Sequence, residues 1–237
     1  LRRSESGEAD RRLTLLTKEF GKIDVIAKGA RKGGSRLAGA SEPLVLGEYH
    51  WAEGRGNRRF LTQVQPETSW PKIRRDYDLI AASLAAAELV AEAMPYASPD
   101  EEHFETFVLL MTAIGETGKW EAALAWFGAR LLSIEGRGPD WMMCMSTGDR
   151  VDEQPAWVSP KAGGCIASLE AGKYSDAFCV PRESLIALQK LAERETPPEN
   201  LKFAYECLKI LHRFWQAEVD RPLPAFGTVV KEFSRPE

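Results

Sequence analysis

Hydrophobic and polar positions along this chain change period once. Over the first seventy residues apolar side chains recur every second position. Leu13–Thr17 alternates, and Ile23, Val25 and Ala27 alternate against Asp24, Ile26 and Lys28. Leu44–Trp51 has β character, and Arg58–Val64 places Phe60, Thr62 and Val64 on one side. Leu1–Arg3 reads as the tail of a strand whose beginning is missing, an expectation of a truncated start. Thr17–Gly21 is a tight turn, and Glu53-Gly54-Arg55-Gly56-Asn57 is a hairpin tip. About five short strands without a helical period predict a small closed barrel.

After Trp70-Pro71 the period becomes helical, which sets a module boundary near residues 70–78. Tyr77–Met94 is an Ala-rich helix stopped by Pro95. Ser98-Pro99-Asp100-Glu101 reads as a capping box with proline at the first helical position, ahead of Phe104, Phe107, Val108, Met111 and Ile114. Trp120, Leu124, Phe127, Leu131 and Ile134 mark the next helix, with Gly136 as its stop. Residues 137–180 lose periodicity. Helix returns at Pro181–Arg194. Thr196-Pro197-Pro198-Glu199 predicts a second cap before Leu201, Ala204, Leu208, Leu211 and Trp215. Pro222 and Pro224 lie in an irregular tail, and Thr228–Phe233 is a last short helix. These apolar stripes read as core, since such helices bury one face against each other.

Charge sharpens this division. The formal net charge of −4 conceals 16 Lys/Arg against 11 Asp/Glu in residues 1–80, and 15 against 24 in the remaining 157. A basic amino-terminal module points to a polyanion, and an acidic carboxy-terminal one to proteins. No apolar run approaches the roughly 20 residues of a membrane span, and no signal peptide opens the chain. Cys144, Cys165, Cys179 and Cys207 are dispersed and read as reduced thiols in a cytoplasm.

The densest candidate chemistry is Lys22–Arg36, where a strand runs into a Gly-rich turn carrying Lys28, Arg31, Lys32 and Arg36. Gly29, Gly33 and Gly34 would let the backbone approach a phosphate and present N–H groups to it. Arg55, Arg58 and Arg59 on the hairpin, and Lys72, Arg74 and Arg75 at the barrel's exit, extend the candidate surface. Phe20, Tyr49 and Trp51 are open candidates for stacking on bases, whereas Phe60 is assigned to the core. His50, His103 and His212 stand in no ligand or nucleophile spacing. Asp100, Glu101, Glu102 and Glu105 complement a helix dipole. No phosphate-binding loop, dinucleotide fingerprint, nucleophile elbow or zincin helix is present in the sequence, so no enzyme is supported.

Gly7-Glu8-Ala9-Asp10, Leu13-Thr14-Leu15-Leu16-Thr17, Phe20-Gly21-Lys22, Ala27-Lys28-Gly29-Ala30-Arg31-Lys32 and Ser35-Arg36-Leu37 follow one another in an order and spacing that resembles the opening of the bacterial RecO recombination mediators. The likeness is close over about 45 residues and architectural beyond them. Ser159-Pro160-Lys161-Ala162-Gly163-Gly164 resembles a segment of that family's insert. The resemblance implies an α+β protein: an N-terminal OB-fold β-barrel over residues 1–74, then an all-α domain over 75–237 with an irregular, degenerate zinc-finger-like insert at 137–180. It implies binding of single- and double-stranded DNA through the ten cations named above, strand annealing, and work with RecR and with the acidic tail of single-stranded-DNA-binding protein to load RecA, in the cytoplasm on the nucleoid. Lys119, Arg130 and Arg137 are the expected docking points for that tail. Many family members carry paired CxxC motifs that bind zinc, but here Cys144-Met145-Ser146-Thr147 holds one thiol and Cys165-Ile166-Ala167-Ser168 another. The expectation is therefore no metal and no cofactor, with Trp141, Trp157 and Ile166 packing the insert. Two other readings stay open: an RNA-binding OB-fold protein, and a nuclease or phosphotransferase using Asp76, Asp78 or the Glu101–Glu105 cluster.

Overall fold

In the computed structural model, which describes residues 1–232, the alternating first third forms a five-stranded sheet. Its strands are β1 (Arg2–Ser6), β2 (Asp10–Thr17), β3 (Gly21–Ala27), β4 (Leu46–Glu53) and β5 (Arg59–Thr68), with a four-residue helix α1 (Leu37–Ala40) between β3 and β4. Leu13, Leu15, Ile23, Val25, Ala27, Ala30 and Leu61 make its core, the set that the period of two selects. The strand order is β1-β2-β3-β5-β4, antiparallel except for β3 beside β5.

The expected closed barrel is corrected here, because β1 and β4 both end the sheet and do not pair. Part of the seam is occupied by α1 and the residues after it. Arg3 and Arg11 both reach Glu42, at 2.7 and 3.0 Å, and Arg11 also donates to the Ala38 carbonyl and Ser41 Oγ. The rest of the seam is a groove of about 700 Å³ lined by Leu16, Phe20, Leu46, Trp51, Trp70 and Phe107 among others.

The carboxy-terminal part holds α2 (Tyr77–Ala93), α3 (Glu101–Thr117), α4 (Trp120–Ile134), α5 (Arg182–Glu193), α6 (Ala204–Val219) and α7 (Pro224–Glu232). Helix α4 is buried on nearly every side from Ala122 to Leu132, as expected of a helix apolar all round. Its Gly128 faces Leu211 and Trp215 of α6, and the Trp215 indole donates to the Gly128 carbonyl at 3.0 Å. The Glu88 carboxylate on α2 accepts from the Ala225 and Phe226 amides at 3.1 and 3.0 Å, holding the first turn of α7.

Four sequence expectations shift. The true cap of α3 is Asp100, whose side chain accepts from the His103 amide, so Pro99 lies outside the helix. Helix α6 begins at Ala204 after a left-handed Phe203 (φ 61°), so Thr196–Leu201 precedes it. Pro224 opens α7 rather than lying in an irregular tail, while Phe233, placed at the end of that helix by the sequence, lies outside the described residues. The aperiodic stretch contains a second sheet of β6 (Ala156–Ser159), β7 (Gly164–Ile166) and β8 (Phe178–Val180), ordered β7-β6-β8. Trp141 and Ile166 are buried there, and Trp157 partly so.

Sheet and helices meet tightly. Lys22 is only 4% exposed, its ammonium donates to the Ala91 carbonyl at 2.5 Å and sits 4.5 Å from the Tyr96 ring centroid. Burial holds its pKa below the usual lysine value. Glu92 on α2 pairs with Arg2 of β1 and with Arg221 at 2.6 and 3.1 Å. Gly21 has φ +64°, and a Cβ there would stand 2.1 Å from the Ser98 carbonyl oxygen, so the contact requires glycine twice over.

Candidate nucleic-acid interface

The basic turn is built by the way β3 ends. Ala27 and Ala30 are buried, which anchors both sides of Lys28 and Gly29 and leaves the Lys28 side chain in solvent. Gly29 takes φ +64° and gives its N–H to Asp10 Oδ1 at 2.7 Å, while the Arg31 amide donates to the Ala9 carbonyl at 3.0 Å. Those bonds dock the turn on the β1–β2 connection. Lys32 and Ser35 amides close further turns onto Gly29 and Lys32. Of the three glycines whose N–H groups are expected to meet a phosphate, Gly29 is thereby already engaged, as are the amides of Arg31, Lys32 and Ser35 around it. Asp10, which the sequence offers only as the end of the Gly7–Asp10 motif, thus positions the basic turn; an aspartate next to a strand start carries no such signal until its partner turn is known.

Seven of the ten expected cations lie on the two segments that flank the Ile26–Phe60 bridge. That parallel bridge sets the end of β3 beside the start of β5, so the turn after β3 and the hairpin before β5 lead away from it in opposite directions, with Lys28 reaching the Phe60 ring. Lys28, Arg31, Lys32, Arg36, Arg55 and Arg58 are exposed and Arg59 is partly so. Arg31 lies 3.1 Å from Glu5, a surface pair between half-open side chains that salt or a phosphate displaces at small cost. Lys28, Lys32, Arg36, Arg55, Arg58 and Arg59 have no ion pair among the described residues.

The other three cations are placed elsewhere. Lys72, Arg74 and Arg75 follow β5, whose ten residues carry them about 30 Å from its start. Arg74 is a structural latch: its guanidinium donates to the carbonyls of Ser69, Pro43 and Leu44 at 2.6, 2.6 and 3.2 Å. Lys72 and Arg75 remain exposed as a separate, smaller patch.

The aromatic candidates also separate. Tyr49 packs on the sheet core and donates its hydroxyl to the Val45 carbonyl at 3.1 Å, and burial pushes its pKa up to about 12. Phe20 and Trp51 meet edge to face at 5.2 Å beside the seam groove, where Glu19, Glu48 and Glu67 also stand. Phe60, assigned to the core from sequence, lies instead across β5 from the buried Leu61, with the Lys28 ammonium 4.6 Å from its centroid.

Of the docking residues, Lys119 donates to Asn200 at 3.1 Å, Arg130 pairs with Glu102 at 2.6 Å, and Arg137 pairs with Glu218 at 3.2 Å. Lys119 and Arg130 stand at opposite ends of α4, about 16 Å apart at 1.5 Å per residue. They do not form one pocket, though Arg130 and Arg137 share an end. The nuclease candidates are otherwise engaged. Asp76 caps α2, accepting from the Asp78 and Leu79 amides, and Glu101 and Glu105 both pair with Lys18.

His103 is buried with Glu135 Oε1 2.7 Å from its Nε2, and His212 packs edge-on against Phe226. All four cysteines are free; Cys144, Cys165 and Cys207 are buried and Cys179 is exposed. The Cys144 sulfur accepts from the Ala167 amide at 3.3 Å, where a zinc-binding relative would need a further thiolate. Among the described residues no group of three or more His, Cys, Asp or Glu is placed to hold a metal ion, and the residues present do not fit a structural zinc. No helix among the described residues is long and apolar enough to cross a membrane.

Two family models match the chain in succession. Residues 1–70 match the family model described as recombination protein O, N terminal, and residues 74–225 match its C-terminal counterpart. The chain is 27% identical to the DNA repair protein RecO of Gloeobacter violaceus over 95% of its own length and 88% of that protein. It is 31% identical to that of Heliobacterium modesticaldum, covering 82% and 72% of the two chains. With the protein of the same name from Synechococcus sp. (strain JA-3-3Ab) it shares 31% identity over 97% and 82%.

Proposed function

The chain belongs to the RecO family of DNA repair and recombination proteins, and from that premise we propose that it is a recombination mediator which holds single strands by their phosphates and anneals them. The observation that carries this reading is the placement of seven cations on the two segments that flank the Ile26–Phe60 bridge, six of them without an ion pair among the described residues. Backbone charge is the same for every sequence, so such a surface binds strands without reading bases and leaves their edges free to pair. Lys72 and Arg75 form a secondary contact, and Arg74 serves the fold.

The same reading includes partners. It has the protein act with RecR and single-stranded-DNA-binding protein to help load RecA, in the cytoplasm on the nucleoid, as a mediator rather than an enzyme. An acidic tail docks at the end of α4 by displacing Glu102 from Arg130 and Glu218 from Arg137. Loss of tail-peptide binding in Arg130→Ala and Arg137→Ala, followed by anisotropy, checks that placement; unchanged affinity rejects it.

Annealing of dye-labelled complementary strands, with and without single-stranded-DNA-binding protein, tests the central function. Reversing charge at Arg31, Lys32 and Arg36 together is expected to slow annealing at least tenfold. An unchanged rate contradicts the proposal. Competition between matched RNA and DNA strands separates it from an RNA-binding role, since only the latter would show a preference set by the 2′-OH.

A further inference from the structure

We propose that Phe60 is a base-stacking platform that gives this basic surface a preference for single strands over duplex. The inference rests on the DNA-binding reading above and names a residue that the reading does not use.

Successive residues of a strand face opposite sides of a sheet. Leu61 is 5% exposed and belongs to the sheet core, so Phe60 is turned to the other side. There its ring packs closely on the hairpin: a Cβ on Gly54 would lie 2.5 Å from Phe60 Cε2 and 3.1 Å from Cδ2, space that a glycine leaves open. Its face is turned to Lys28, whose ammonium sits 4.6 Å from the centroid. Arg58 lies two residues before it, on the same side of the strand. A ring packed on the hairpin, covered on its face by one long exposed side chain and with a further cation beside it, is the arrangement that a stacked base and its phosphate require.

The other aromatic candidates lack one part of this arrangement. Tyr49 packs inward, and Phe20 and Trp51 meet edge to face beside Glu19, Glu48 and Glu67, which repel phosphate. On strand binding, a base takes the place of the Lys28 ammonium over Phe60, and the ammonium moves to the adjoining phosphate. A cation over a partly exposed ring is the weaker contact of the two, so the exchange runs toward the bound state. Duplex bases are already stacked on their neighbours and cannot use the platform.

The test is anisotropy over a salt series with three probes: a 15-nucleotide dT strand, an abasic strand of the same length, and a 15-base-pair duplex. Phe60→Leu is expected to weaken dT binding about tenfold with an unchanged salt slope, and to leave abasic and duplex binding within about twofold. Lys28→Ala is expected instead to lower the slope by about 0.7 on both single strands. Phe60→Trp, which keeps an aromatic face, is expected to retain dT affinity. The proposal is overturned if Phe60→Leu changes dT and abasic binding equally or leaves both unchanged, or if Phe60→Trp loses as much dT affinity as the leucine variant. Wild-type protein that binds none of the three probes overturns the DNA-binding reading and this proposal with it.

Discussion

Gly21 is the residue where one methyl group decides the most. It lies at the start of β3, takes a left-handed backbone conformation, and lets the Ser98 carbonyl approach far inside the van der Waals contact of a Cβ. Gly21→Ala is expected to cost about 1–3 kcal/mol through strain and overpacking at the junction of sheet and helices, read as a lower urea midpoint at unchanged m-value. Glu92 supports the same junction in a pH-dependent way. Burial raises its pKa, but hydrogen bonds and charge from Arg2 and Arg221 outweigh this and hold the carboxyl below its ordinary 4.5. Its contribution is therefore complete above about pH 4.5 and is lost as pH falls through the lower folded value. Arg2 and Arg221 are largely exposed, so Glu92→Gln is expected to remove less than about 1 kcal/mol at pH 7 and to flatten the acid limb of the stability profile.

Among the elements, α7 depends on a residue far from it in sequence. Its first amides are held by Glu88, so Glu88→Ala is expected to cost about 1 kcal/mol and to speed hydrogen exchange of residues 225–232 before the rest of the chain. This element also shows what a sequence can and cannot disclose. Strands β2 and β3 and helices α2 to α4 were legible because each buries one face or all of itself, and burial imposes a period. The starts of α3, α6 and α7 were not, because a cap is a matter of which oxygen meets which amide: Asp100 does so where Ser98 was expected, and Glu88 does so from another helix. Strands β6 to β8 are three or four residues long, too short for alternation to stand out. The open seam was hidden too, since strand count says nothing of whether the first and last edges meet. For the interface, the type of charge was legible but its placement was not. Only the bridge between Ile26 and Phe60 reveals that the turn after β3 and the hairpin before β5 flank one point of the sheet, while Lys72, Arg74 and Arg75 follow the far end of β5.

For the whole molecule, charge and topology divide the work. The helical part is acidic and supplies rigid support through α4 and the Lys22 contact, and the sheet presents its cations on the turn after β3 and the hairpin before β5. Binding there is counterion release, so its signature is the dependence of affinity on salt. The most direct measurement is the slope of log affinity against log salt for a dT strand, compared between wild type, the Arg31→Ala, Lys32→Ala, Arg36→Ala triple variant, and the Lys72→Ala, Arg75→Ala double variant. At about 0.7 per phosphate contact on a single strand, the triple variant is predicted to lower the slope by about 2 and weaken binding at low salt, with the double variant lowering it by less than about 1. A slope unmoved in the triple variant, or lowered more by the double, would contradict the placement of the DNA surface on the turn after β3.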